Sequence, residues 1–265
     1  MNESLTSILW VAISLPILLV LERWIHRHLH GLAYLLTGRR TWAVLLYALI
    51  LFPGVLLHEF SHWITALVLR VRTGSISLIP RVEEDGSVRL GYVEYYRGKT
   101  LDPLRETLVG GAPLISGTVA ILLIGFYVFD VAALGAAVRT GEVAALTRTL
   151  EEIFRTPDFF VWLYLIFAVS NAMMPSPSDR RAWPAFLGLL AVGAVVLALL
   201  RVQDAVFMGL VGPVTAVFGY LGLAFSLAIG VDVLFILFIY VVERLVGTVK
   251  GVEVVYERPQ PPAGR

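Results

Sequence analysis

The chain has 265 residues, 58% hydrophobic and 15% charged, with a net charge of +1 and a mean hydropathy of +0.80. A soluble domain runs nearer roughly 45–50% apolar and about 25% charged, so the composition excludes an ordinary soluble fold and points to a polytopic membrane protein in a lipid bilayer. The near-neutral charge points to no nucleic-acid partner, and the absence of cysteine excludes disulfides, thiolate metal sites and thiol catalysis.

Residues 5–22 are the first apolar run. The segment before it, MNES, has no basic n-region, and no small-residue cleavage site follows, so an uncleaved span is expected. Residues 22–41, ERWIHRHLHGLAYLLTGRRT, are basic and amphipathic, which predicts a solvated interfacial segment. His26, His28 and His30 lie there among Arg23, Arg27, Arg39 and Arg40. Their spacing of two would align them on a strand but scatters them around a helix.

The second span, 43–69, contains HEFSHW at 58–63 inside an otherwise apolar run. Polar and charged side chains at membrane depth are costly and usually mark function. On a helix, His58 and His62 share a face, so both imidazoles can point at one ion. Neutral imidazole is a good zinc ligand and needs no buried ligand charge. Glu59, beside the first ligand, can take a proton from a metal-activated water. H-E-x-x-H therefore encodes two ligands and a base in one helical turn. The bland alternative is two histidines bonded to neighbouring helices and a glutamate facing a polar cavity.

Residues 74–97, GSISLIPRVEEDGSVRLGYVEYYR, are rich in β-branched and aromatic residues, with Asp85-Gly86 as a type I′ turn signal. A β-hairpin at the membrane surface is expected. The next spans are 108–129, 159–174 and 184–200. The tract 205–242 is too long for one span, and GPVTAVFGYLG in its middle offers a turn or re-entrant break. The sum is an all-α polytopic membrane protein of six or seven transmembrane helices with a small surface hairpin. Residues 1–42 form the first span and basic segment, 43–183 the core, 184–247 the C-terminal helices, and 248–265 a proline-rich, partly disordered tail.

A catalytic zinc has three protein ligands and an open position. Most acids fall in connectors. The one closest to a span is Asp179 in SNAMMPSPSDRRAWP. Pro175 and Pro177 end or unwind the fourth span, leaving irregular backbone that must line protein or water. The plain alternative is a solvated helix end capped by Asp-Arg-Arg. Asn171 is polar within this span, where such a residue commonly makes an interhelical hydrogen bond. Asp232, in LAIGVDVLFILF, is a second acid in a span, either another polar site or the wall of a wet cleft near Gly230.

With HEFSH at 58–62 and NAMMPSPSD at 171–179, the chain resembles the site-2 protease family of intramembrane zinc metalloproteases. That family carries H-E-x-x-H in one transmembrane helix and N-x-x-P-x-P-x-x-D-G in a later one. The Asn-to-Asp spacing is kept, the prolines sit one position later, and Arg180 stands where glycine is usual. In GGAPLISG, Ser116 stands where the family often has asparagine. The resemblance spans roughly residues 43–180. It implies one Zn2+ held by His58, His62 and Asp179, with Glu59 as catalytic base and Asn171 and Ser116 near substrate. The substrate would be a transmembrane protein cut within or beside its helix, in a prokaryotic plasma membrane. The hairpin edge could hold the unwound segment by strand addition.

Charge bias gives two opposed signals on orientation. The 70–107 connector carries seven Lys/Arg against three in 129–158, which favours a cytoplasmic hairpin, as the resemblance does. The four arginines of 22–41 would then face outside. Two rival classes stay open: an H-E-x-x-H protease with a glutamate ligand from Glu142, Glu151 or Glu152, and a non-proteolytic membrane protein, either a transporter or a metal-binding degenerate homologue. Retention of Glu59 argues against degeneration, because zinc binding does not require it.

Overall fold

The structure, a computed structural model, describes residues 3–77, 81–82, 88–89, 92–95, 103–201, 203–252, 254 and 256. Two long helices open the chain, α1 (Glu3–Thr37) and α2 (Arg40–Val68). Four short strands follow: β1 (Thr73–Ser77), β2 (Arg81–Val82), β3 (Val88–Arg89) and β4 (Tyr92–Tyr95). Then come α3 (Pro103–Tyr127), α4 (Val131–Thr140), α5 (Val143–Phe154), α6 (Phe159–Ser170), α7 (Trp183–Leu199) and α8 (Gln203–Lys250). β1 pairs antiparallel with β4, and β2 with β3. The expected Asp85-Gly86 turn lies outside the described residues, as does the tail from 257 onward.

Among the described residues, four helices are long and apolar enough to cross a membrane: α1, α2, α3 and α8. A fifth crossing results if α5 and α6, bent by 88° at their junction, count as one span. The architecture is that of an all-α membrane protein. Its exposed apolar side chains are consistent with a lipid solvent, and its backbone is satisfied within helices, as a bilayer demands. The shared core joins faces of α1, α2, α3, α6 and α8, with Leu18, Ile25, Leu51, Ile121, Phe167 and Phe225 almost fully enclosed. α7 buries none of its side chains.

α1 runs unbroken from the first span through the basic segment to Thr37. At 1.5 Å per residue it reaches about 52 Å, well beyond a hydrocarbon core of about 30 Å. One expectation from the sequence is corrected, since the 205–242 tract does not break. Pro213 lies inside one continuous helix of 48 residues. Of the glycines in GPVTAVFGYLG, Gly222 serves close packing and not a turn. A Cβ at Gly222 would meet the indole of Trp10 on α1, and Trp10 Nε1 donates to Ser226 Oγ at 2.9 Å. Small residues let helix backbones approach where lipid offers no hydrophobic drive for association.

Candidate metal centre

The site begins on α2. His58 and His62 lie one turn apart with ring centroids 4.7 Å apart. Glu59, Ser61 and His62 are buried in the same stretch. The two imidazoles are oriented by backbone carbonyls of other elements. His58 Nδ1 donates to Ala172 O at 2.6 Å, and His62 Nδ1 donates to Val109 O at 2.8 Å. A carbonyl only accepts, so each Nδ1 carries a proton, and in the neutral ring Nε2 is then the lone-pair nitrogen.

Both carbonyls are available for a reason written in the chain. In a regular helix Val109 O would accept from the residue four positions later, which is Pro113, a residue without an N–H. Ala172 lies beyond the last turn of α6, in the irregular stretch that precedes Pro175 and Pro177. Helix ends leave carbonyls that need partners from elsewhere.

That irregular stretch also returns Asp179 to the histidines. Ser176 donates twice to Asp179 Oδ2, from its backbone N at 2.7 Å and its hydroxyl at 2.6 Å. Asp179 is buried, while Arg180 and Arg181 are exposed. The loop presses against α3 at Gly110, where any Cβ would run into the Asp179 carbonyl. Gly110 therefore sets how closely the loop can approach.

The three donors converge. The two Nε2 atoms are 3.1 Å apart. His62 Nε2 lies 3.4 Å from Asp179 Oδ1, and His58 Nε2 lies 3.8 Å from Asp179 Oδ2. Adjacent ligands of a tetrahedral ion with bonds of about 2.05 Å sit about 3.3 Å apart, so the spacing fits one small cation. Two bare imidazole lone pairs and a carboxylate aimed at one point repel each other unless a cation or proton lies between them. Two neutral nitrogens and one carboxylate oxygen are a donor set that suits Zn2+. Among the described residues, this is the group of histidines and acids arranged to hold a metal.

Of the residues anticipated from sequence, His58, His62 and Asp179 come together, and Glu59 lies close enough for its charge to act on His62. Ser116 is not part of the cluster. Its hydroxyl bonds back to Pro113 O at 3.2 Å, and it lines an apolar cavity of about 350 Å³ between α2 and α3, together with Phe60, Ser61, Ile64, Leu108 and Ile115. Asn171 is buried with its amide donating to Asp232 Oδ1 at 2.9 Å and to Phe167 O at 2.9 Å. Glu142, Glu151 and Glu152, the rival third ligands, are exposed on the connector and outside the cluster.

The solvated reading of the 22–41 histidines is corrected. His26 Nε2 lies 3.0 Å from Asn171 O, and its Nδ1 contacts the Tyr47 hydroxyl. His28 pairs with Glu243 of α8 at 2.8 Å and stacks on Trp24. Because α1 continues as a helix, His26 and His30 share a face and both meet Tyr47, while His28 faces Glu243. Sequence reasoning also missed Ser176 and the two orienting carbonyls. Pro113 was the signal for Val109 O, since it sits four residues beyond the carbonyl it deprives of a donor, and Pro175 and Pro177 were the signal for the irregular stretch that carries Ala172 O.

Compared with known proteins, the chain matches no family model, no curated sequence and no solved structure.

Proposed function

We propose that the protein is an intramembrane zinc metalloprotease that cuts a peptide bond within or beside a transmembrane helix of another membrane protein. The observation that carries this reading is the convergence of His58, His62 and Asp179 beside Glu59, on a helix apolar enough to cross a bilayer. When bound, a zinc ion supplies Lewis-acid polarisation of a carbonyl and raises the acidity of a water. His58 and His62 offer neutral Nε2 atoms, and Asp179 offsets one positive charge where unbalanced charge is expensive. Glu59 takes a proton from the attacking water and returns it to the departing amine nitrogen. The cavity between α2 and α3 receives apolar substrate side chains, with Ser116 in its wall. The scissile stretch is unwound, because helical carbonyls are already engaged, and the β1–β4 segment holds it by strand addition. The membrane proposed for it is a prokaryotic plasma membrane.

A metal-binding membrane protein without peptidase activity would use the same three ligands and would not need Glu59 as a base. Detergent-purified wild type and His58→Ala, compared by metal analysis and by cleavage of a model transmembrane substrate, test the proposal. Stoichiometric zinc and cleavage in the wild type, both lost in His58→Ala, are expected. Zinc-loaded wild type that cleaves none of a panel of membrane-helix substrates would rule the protease reading out.

A further inference from the structure

Asp232 lies on α8, in a helix that contributes no metal ligand, yet it is a fully enclosed acid. Its Oδ1 accepts from Ser170 Oγ at 2.9 Å and from Asn171 Nδ2 at 2.9 Å. These are the last residue of α6 and the residue that follows it. From the opposite side, His26 on α1 reaches the Asn171 carbonyl at 3.0 Å. That carbonyl lies past the end of α6, and Pro175, four positions on, has no N–H to offer it. The next carbonyl in the chain, Ala172 O, is the one that orients His58.

We propose that Asp232 is a positioning residue for the His58 limb of the metal centre. Acting from α8, it holds residues 170 and 171 so that the Ala172 carbonyl keeps the His58 ring turned with Nε2 toward Asp179 and His62. Partners that orient a metal-ligating histidine govern affinity strongly, commonly by about 10- to 100-fold. Irregular backbone after a proline-terminated helix has no ladder of its own to fix it, so side chains from packed helices must do so. The other carboxylate oxygen, Asp232 Oδ2, is buried without a hydrogen-bond partner. An apolar residue would avoid that cost, so the acid is explained by what its Oδ1 holds and not by packing.

This inference rests on the metal-centre reading of the proposed function, and its test needs no substrate. Full-length, detergent-purified protein is titrated with Co2+ alone, and the visible absorption of the bound ion reports both affinity and ligand geometry. Asp232→Leu is expected to weaken Co2+ binding by about tenfold or more and to shift the band. Asp232→Asn keeps an oxygen that accepts from both donors and should bind within about threefold of wild type. Thr118→Val is the control, since the Thr118 hydroxyl is buried without a partner and its loss should leave the titration unchanged.

Wild-type affinity and an unshifted band in Asp232→Leu would overturn the assignment. So would an Asp232→Asn variant as weak as Asp232→Leu, because charge and not hydrogen-bond acceptance would then be responsible. If Asp232→Leu does not purify as a monodisperse protein, Ser170→Ala and Asn171→Leu decide from the other side. Each should weaken Co2+ binding several-fold, and wild-type binding by both overturns the inference. A wild type that binds Co2+ but cleaves nothing refutes the protease reading and leaves this one standing. A wild type that binds no Co2+ ends both.

Discussion

Val109 and Pro113 are four residues apart on α3, and the carbonyl that the proline leaves without a helical donor accepts the Nδ1 proton of His62 at 2.8 Å. The third core helix thus reaches the candidate metal centre through its backbone, at a place where its own hydrogen-bond ladder is interrupted. The interruption orients one of the imidazoles proposed to bind the ion and fixes its tautomer, which a side-chain partner commonly does in metal sites.

Pro113→Ala tests that relationship. The alanine restores an N–H that competes with His62 for Val109 O, while the helix itself becomes more regular. Zinc affinity should fall by about tenfold with no loss of thermal stability, as measured by competition against a chromophoric chelator. Unchanged affinity would show that His62 needs no such orientation.

Glu59→Gln separates metal binding from chemistry. The amide keeps size and burial but does not act as a base at neutral pH. Zinc content should stay at the wild-type level while turnover of a model transmembrane substrate falls by about 10²- to 10⁴-fold. Near-normal cleavage would remove Glu59 from the mechanism.

Asp179→Ala should lower both zinc retention and cleavage, because two imidazoles alone do not make a three-ligand catalytic site. Asp158, at the start of α6, has no side-chain capping bond, so Asp158→Ala should change neither. Equal zinc content in both variants would strike Asp179 from the ligand set.

Neighbouring glycines on α3 give a steric test. A Cβ at Gly110 would collide with the Asp179 carbonyl, whereas a Cβ at Gly111 meets nothing within 4 Å. Gly110→Ala should therefore displace the 176–179 loop and weaken zinc binding, and Gly111→Ala should be neutral. Metal titration of the two purified variants checks this, and indistinguishable affinities would mean that the loop tolerates the shift.

Much of the candidate site was legible in the residues themselves. H-E-x-x-H at 58–62 sets two imidazoles on one face because a helix brings residues four apart together, and that holds wherever the helix lies. The apolar runs likewise announce a bilayer, since their length and composition match its hydrocarbon core. Prolines 113, 175 and 177 announce freed carbonyls, because a missing N–H is a covalent fact. None of these properties depends on a partner distant in the chain.

Other features depended on such partners. Sequence placed Asp179 near a span, but only the fold shows the 176–179 loop pressed on Gly110 and aimed at His62. The histidines of 22–41 read as a solvated basic segment, yet His26 meets Asn171 and His28 meets Glu243, 145 and 215 residues away. The glycine-rich stretch around Gly222 read as a turn, although it stays helical and Gly222 admits Trp10 of α1. Local propensity and periodicity state which faces a helix offers. Which donor meets which freed carbonyl is decided by helix packing, where contacts between distant residues compete for the same groups, and that competition is resolved only in three dimensions.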